Sequence, residues 1–384
     1  MKKTIIGIII GLLVGIGAVG AYLHFSNPKD EPKNKKEENK TENKEEVKKD
    51  EYYQFYFENG KIYYSLNKGE KKYLMDGVNK EDYDSYLYDK YLYDDDKLYY
   101  YTIDTNYNGN EVTGYKYNFS YIDLNTKKKN EKFNVLEVDA TKQIHIRKID
   151  DNKVYYAYTI VDYKKPLDSE ENGYVGIEEY NFMDKTIKKV IERKPGVQSL
   201  LPYINIYNGV KYVQLTDGIT TNIYKIENGK EEIIVKDVRT GTLSRTFNIL
   251  NDKLYYIDND LLFSYNLKDG SLTKESETLA SHFGNALIYS DMIAYVDDTR
   301  KLHVKTNDVE KEISLTFSSN VCTECNNIYI SNRINENELL ITAHYSFSTI
   351  LDLNSVANNN LNVNTKQNDG EDSIYNNRYF EYRR

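Results

Sequence analysis

The sequence predicts an all-β protein, a β-propeller of about seven blades (six to eight), and three observations predict it. Seven times a polar turn leads into an apolar or tyrosine-rich strand core. The cores begin at residues 61, 97, 153, 209, 253, 292 and 338, so successive starts are 36, 56, 56, 44, 39 and 46 residues apart. No helix-period pattern of comparable strength appears from Tyr52 onward. A period in the forties, with turn residues just ahead of each core, is what radial four-stranded blades require.

The cores read Lys61-Ile62-Tyr63-Tyr64, Lys97-Leu98-Tyr99-Tyr100, Lys153-Val154-Tyr155-Tyr156, Gly209-Val210-Lys211-Tyr212, Lys253-Leu254-Tyr255-Tyr256, Met292-Ile293-Ala294-Tyr295 and Glu338-Leu339-Leu340-Ile341. The fifth repeat resolves most cleanly into four strands: Thr246–Leu250, Lys253–Asp258, Leu261–Leu267 and Ser271–Lys274. Asn251-Asp252, Asn259-Asp260 and Asp269-Gly270 at the joints supply the left-handed conformations that tight hairpins need. The second and third repeats carry long inserts between their second and third strands, Thr105–Gly114 and Tyr163–Gly173, which are expected as loops on one rim. Tyr375–Tyr382 is expected to close the ring by pairing with the other end of the propeller, because closure removes exposed sheet edges.

Ahead of the propeller, Thr4–Leu23 contains no charge and is built mostly of Ile, Leu, Val, Gly and Ala. As a helix it would rise roughly 30 Å, about the thickness of a bilayer core. Lys2 and Lys3 favour a cytoplasmic N-terminus. A cleaved secretory signal is the rival reading, with Ala18-Val19-Gly20 ahead of a cleavage point, but the apolar run continues through Ala21-Tyr22-Leu23 and favours an uncleaved anchor. Either reading exports the rest of the chain. From Asn27 to Glu51 there is no aromatic residue, and eight lysines face nine acids, so the segment reads as a disordered stalk. The expected organisation is therefore residues 1–3 cytoplasmic, 4–25 a transmembrane signal-anchor, 26–51 a charged flexible stalk and 52–384 an extracytoplasmic propeller. So short a cytoplasmic segment leaves no room for a signalling domain.

Residues 52–384 hold 41 basic against 51 acidic residues. A domain of that sign has no broad attraction for phosphate backbones, which disfavours nucleic acid as a partner. The chain has 39 tyrosines and no tryptophan, a composition that suits half-buried pleated strands and equally an AT-rich genome. Tyr63, Tyr64, Tyr99, Tyr100, Tyr155, Tyr156, Tyr212, Tyr255, Tyr256 and Tyr295 are repeat-core positions expected to hold blades together and not to contact a ligand.

Lys253-Leu254-Tyr255-Tyr256-Ile257-Asp258 resembles the repeat signature of the Tyr-Trp-Thr-Asp propellers known from lipoprotein-receptor ectodomains, and of related bacterial propeller domains of unknown function. The resemblance implies a propeller fold and no particular activity. Tyrosine replaces tryptophan throughout, the signature aspartate recurs only as Asp258 and Asp297, and seven cores stand where that family has six blades.

Few constellations suggest chemistry. Asp104-Thr105-Asn106-Tyr107-Asn108-Gly109 matches the first half of a calcium loop, but Tyr115 stands where a bidentate acid is required, so a long Asn/Gly-rich hairpin is preferred. Asp94-Asp95-Asp96 suggests either solvent exposure or a cation, with exposure preferred. Cys322 and Cys325 form the only cysteine pair, a possible local disulfide in an exported protein. His24, His145, His282, His303 and His344 are scattered, and none lies in a catalytic motif. No catalytic residue, cofactor or metal ligand is assigned. The expected function is a membrane-anchored binding or scaffolding module for an envelope protein, peptide or glycan. The alternatives are a cell-wall or extracellular carbohydrate lyase or hydrolase, and a structural part of a surface or spore-coat assembly.

Overall fold

The computed structural model describes residues 52–58, 60–77, 91–194, 201–217, 220–238, 247–259, 261–275, 286–289, 291–297, 299–306, 309–317, 328–343, 347–354, 360–363, 366–367 and 378–383. The expected anchor, the stalk and the Cys322–Cys325 pair lie outside the described residues, which fall within the compact unit Asp50–Arg384.

The described residues form seven sheets. The first contains β1 (Tyr52–Glu58), β2 (Lys61–Leu66) and β3 (Lys72–Asp76). The second runs β4 (Tyr91–Asp94), β5 (Lys97–Asn108), β6 (Glu111–Asp123), β7 (Lys129–Asp139). The third runs β8 (Lys142–Asp150), β9 (Lys153–Ile160), β10 (Tyr174–Asn181), β11 (Ile187–Arg193). The fourth is β12 (Tyr203–Tyr207), β13 (Val210–Asp217), β14 (Thr220–Glu227), β15 (Lys230–Val238). The fifth is β16 (Asn248–Leu250), β17 (Lys253–Asp258), β18 (Leu261–Asn266), β19 (Leu272–Lys274), each strand within two residues of the sequence expectation. The sixth is β20 (Ala286–Ile288), β21 (Met292–Val296), β22 (Lys301–Thr306), β23 (Glu310–Phe317). The seventh contains β24 (Ile328–Arg333), β25 (Glu338–Ala343) and β26 (Phe347–Asp352). The chain then adds β27 (Asn360–Val363) as a parallel fifth strand on β23 of the sixth sheet, and returns as β28 (Lys366–Gln367) to β26.

The first strands of successive sheets, β4, β8, β12 and β16, and likewise β20 and β24, lie against one another, which makes them the innermost strands of a ring. This is a β-propeller. Its last strand, β29 (Arg378–Arg383), pairs antiparallel with β1, Tyr52 facing Arg383 and Phe57 facing Arg378, and gives the first blade the order β29-β1-β2-β3. Closure sets the phase of the first blade. The Lys61 core occupies the third strand of its blade, because the C-terminal strand takes the innermost place and β1 becomes second. Measured from β1, the spacing from Tyr52 to Lys97 is 45 residues, which removes the anomalous interval of 36.

Blade packing explains the tyrosine doublets. Neighbouring residues of a strand point to opposite faces of its sheet, so a doublet on a second strand serves the interfaces on both sides of the blade. Tyr99 joins the core between the second and third blades, and Tyr100 the core between the first and second. Tyr155 faces the fourth blade and Tyr156 the second; Tyr255 faces the sixth and Tyr256 the fourth. Tyr212 lies between the fourth and fifth blades and Tyr295 between the fifth and sixth. All of these are buried. Tyr63 and Tyr64, on a third strand, are half-buried: Tyr63 meets Tyr73 edge-on at 6.0 Å, and Lys127 Nζ stands 3.9 Å from the Tyr64 ring centre. Burial raises the pKa of Tyr295 to about 12 and also raises Tyr99, Tyr100, Tyr155, Tyr156, Tyr212, Tyr255 and Tyr256, so the hydroxyls of these buried tyrosines stay protonated.

Hairpins between first and second strands are set by paired left-handed residues. Asp95 and Asp96 (φ 45° and 57°), Asp151 and Asn152 (49° and 59°), Asn208 and Gly209 (51° and 74°) and Asn251 and Asp252 (51° and 58°) match a two-residue type I′ turn. A chain of polar contacts links the inner strands. Arg147 Nε donates to the Pro202 carbonyl (3.1 Å), Asn205 Nδ2 to Asn248 Oδ1 (2.7 Å), and Asn248 Nδ2 to the Ile288 carbonyl. Arg333 pairs with Asp291 at 2.6 Å, both side chains buried.

Candidate binding surface

The two inserts form ordered projections on one rim. The expected loop Thr105–Gly114 is instead paired strand: β5 and β6 continue in register from Lys97↔Asp123 to Asn108↔Glu111, with a bulge beside Asn106, and β7 accompanies β6 as far as Gly114↔Asp139. The correction has a physical cause in strand alternation. Asp104, Asn106 and Asn108 occupy one face of β5, and Ile103, Thr105 and Tyr107 the other. Gly109, at the first central position of the turn with φ 64°, has the left-handed conformation a type II′ hairpin requires. Gly114 admits no side chain, since a Cβ there would stand 2.5 Å from the Val138 carbonyl oxygen.

The apolar face of this arm begins in the core. Tyr117 and Leu136 belong to the cluster between the second and third blades, with Tyr115 and Val138 packed against it, and Tyr117 donates to the Ile144 carbonyl at 3.3 Å. Burial raises the Tyr117 hydroxyl to about 12. Further out the same face emerges into solvent, with Ile103 48% and Tyr107 65% exposed.

The second projection, Val161–Gly173, is a compact loop whose ends meet: Gly173 N–H donates to the Ile160 carbonyl at 3.1 Å. Asn172 holds it from within. It is 1% exposed; its Oδ1 accepts from Asp162 N–H (2.6 Å), and its Nδ2 donates to the carbonyls of Asp162 (3.1 Å) and Pro166 (2.9 Å). The loop presents Tyr163 and Leu167, which are 77% and 52% exposed. Lys164 Nζ contacts Glu111 of the arm, so the projections touch, and that carboxylate raises the Lys164 pKa.

No protein-family model and no curated protein matches the sequence. Among solved structures, the chain is similar to a prolyl endopeptidase studied for inter-domain dynamics (11% identity, TM-score 0.40), the match covering 82% of this chain and 48% of that one. It is similar to a putative 6-phosphogluconolactonase from Bacteroides fragilis (11%, TM-score 0.40; 80% and 92% of the two chains). It is also similar to the β-propeller domain of the trilobed protease from Pyrococcus furiosus (12%, TM-score 0.38; 68% and 79%). At these identities the likeness ends at the fold.

The other residues singled out from sequence are separated. Asp95 is exposed beside Lys97 (3.2 Å). Asp96 is buried, accepting from Tyr93 (3.2 Å) and Asn125 (3.0 Å), and serves its turn. Asp94 is raised by burial and by Asp150. Asp104 accepts from Asn118 Nδ2 at 2.9 Å. Alternate residues along β5 are nearly 7 Å apart, so Asp104, Asn106 and Asn108 do not converge as the residues of a calcium loop do. His303 stacks on Tyr295 (4.6 Å) and bonds Asp297 (2.8 Å). Asn172 was not visible as a functional residue in the sequence, since its role comes only from loop closure. The arm's alternation, in contrast, is written in Ile103-Asp104-Thr105-Asn106-Tyr107-Asn108.

Proposed function

We propose that the chain is a binding or scaffolding module of the cell envelope, a propeller that takes a protein or peptide partner on the rim formed by the arm and the Val161–Gly173 loop. One observation carries this reading: two projections that touch through Lys164 and Glu111 expose Ile103, Tyr107, Tyr163 and Leu167. Exposed tyrosines on preorganised supports supply contact area at low entropic cost, and aromatic anchors dominate the energetics of protein interfaces. In this reading residues 4–25 anchor the chain in the membrane, 26–51 act as a stalk, and 52–384 lie outside; the uncharged run Thr4–Leu23 behind Lys2 and Lys3 supports it.

The test is affinity capture from envelope extract with the full chain, against variants in which Thr105–Gly114 or Tyr163–Gly173 is shortened to a two-residue turn. Capture of a defined partner by the full chain and its loss in both variants is expected. A partner retained by both variants would overturn the assignment of this rim.

A further inference from the structure

The fourth strand of the seventh blade is a stub. β28 has two residues, where the fourth strands β3, β7, β11, β15, β19 and β23 of the other blades have three to eleven. It pairs Gln367 with Phe347 and Lys366 with Ser348, at one end of β26. Among the described residues no strand lies beside the remainder of that outer edge, where Ile350 is 41% exposed. The sixth blade has the opposite irregularity: it alone carries a fifth strand, β27, whose residues directly precede β28 in the chain.

The surplus strand and the missing length are neighbouring pieces of one segment. Only two residues separate Val363 from Lys366, so their Cα atoms lie within about 11 Å of each other. Leu315 of β23, Leu351 of β26 and Leu353 just beyond it all belong to the core between the sixth and seventh blades, so the two outer edges border the same core. Register makes them equivalent for this segment. On β23, Leu361 stands opposite Leu315 and Val363 opposite Phe317. Carrying the β26–β28 pairing four residues further sets Val363 opposite Leu351, and two more set Leu361 opposite Leu353. The Asn-Leu-Asn-Val alternation therefore meets apolar residues at the same two positions on either edge. The pairing with β23 is parallel, the less stable kind per residue, whereas pairing with β26 would extend an existing antiparallel ladder.

We infer that Asn360–Val363 is a strand with two seats, held on β23 in this structure and transferable to β26, where it completes the seventh blade. Lys366 and Gln367 stay paired with β26 and act as the pivot. Transfer covers the outer edge beside Ile350 and uncovers that of β23 at Ser314–Phe317, so each state leaves a different blade edge open. The exchange is a conformational switch between adjacent blades. It lies away from the arm-and-loop rim of the second and third blades and stands or falls independently of it.

The test is disulfide trapping in the full chain, with Cys322→Ser and Cys325→Ser as background. Val363→Cys is combined in turn with Phe317→Cys for the present seat, with Leu351→Cys for the second, and with Tyr73→Cys, an exposed site on the first blade, as the measure of random encounter. Intramolecular bridging of position 363 to 351 about tenfold or more faster than to 73 is expected, and Lys366→Pro, which disrupts β28, should suppress it. A rate to 351 equal to that to 73, or one that Lys366→Pro leaves unchanged, would overturn the two-seat strand. Should Leu351→Cys fail to fold, methyl NMR of the wild-type chain in detergent decides: nuclear Overhauser contacts from Val363 to Leu351 as well as to Phe317 are expected, and contacts to Phe317 alone would overturn the proposal.

Discussion

Gly176→Ala is predicted to destabilise the propeller severely, although alanine is the smallest possible change. Gly176 sits in β10 between Tyr158 of β9 and Glu192 of β11. A Cβ there would collide with the Ile191 carbonyl oxygen and would stand 2.7 Å from the Tyr158 hydroxyl and 2.8 Å from its Cζ. Tyr158 is fully buried, lies across the glycine to donate to the Glu192 carboxylate, and carries Lys142 Nζ 4.3 Å from its ring centre. Relief requires either a shift of β11 or displacement of the ring. Displacement forfeits a hydrogen bond to a charged group, about 1.5–3 kcal/mol, and a cation–π contact of about 0.5–2 kcal/mol. Residual overpacking against backbone adds about 1–3 kcal/mol. The expected loss is therefore about 3–8 kcal/mol, a large fraction of the stability of an ordinary domain. Urea unfolding followed by tyrosine fluorescence reads it as a lower midpoint with unchanged slope. Gly109→Ala is the control: nothing lies within 4 Å of its Cβ, and its φ of 64° costs about 1 kcal/mol. A Gly176→Ala midpoint within about 1 kcal/mol of wild type would refute the packing argument.

Three further outcomes are expected. Asn172→Ala releases the Val161–Gly173 loop, so limited proteolysis cuts within it quickly while the urea midpoint of the propeller moves little; resistance equal to wild type would show that the loop is held by other means. Deleting Arg378–Arg383 removes the innermost strand of the first blade, and the product is expected to aggregate or unfold without cooperativity on size exclusion and urea titration; a native-like transition would contradict closure by β29. Acid should destabilise the domain through Glu192, Glu275 and Asp297. Burial acts to raise each, but hydrogen bonds to Lys189 and Tyr158, to Lys305 and Ser264, and to His303 and Lys301 outweigh it and leave all three lowered. Their contribution is thus complete above the unfolded values of 4.5 for glutamate and 3.8 for aspartate and is lost as pH falls through the depressed folded values. Urea midpoints should fall between about pH 5 and pH 3, less steeply in Glu192→Gln.

Legibility in the sequence followed local chemistry. The fifth blade could be read within two residues because its turn residues, Asn251 and Asp252 among them, are those that tolerate left-handed backbone. The tyrosine doublets were visible as repeats, but their division between two interfaces depends on blades on either side, which no single repeat contains. The phase of the first blade has no local signal, because the strand that completes it lies more than 300 residues away, at Arg378–Arg383. Thr105–Gly114 was expected as a loop on its Asn and Gly content, although the period-two pattern from Ile103 to Asn108 encodes a strand. Gly176 and Asn172 act through close approaches that only the folded chain creates, and the return of β27 to the sixth blade left no local signal.

The central claim, that the arm and loop form the partner-binding rim, is tested most directly by placing a photo-crosslinking amino acid at Tyr107, at Tyr163 and, as a control, at Tyr73, which is also exposed but lies on the outer strand of the first blade. Irradiation of cells carrying each variant should give the same discrete adduct from positions 107 and 163 and none from 73. An adduct from position 73 alone, or none from the two rim positions, would contradict the account.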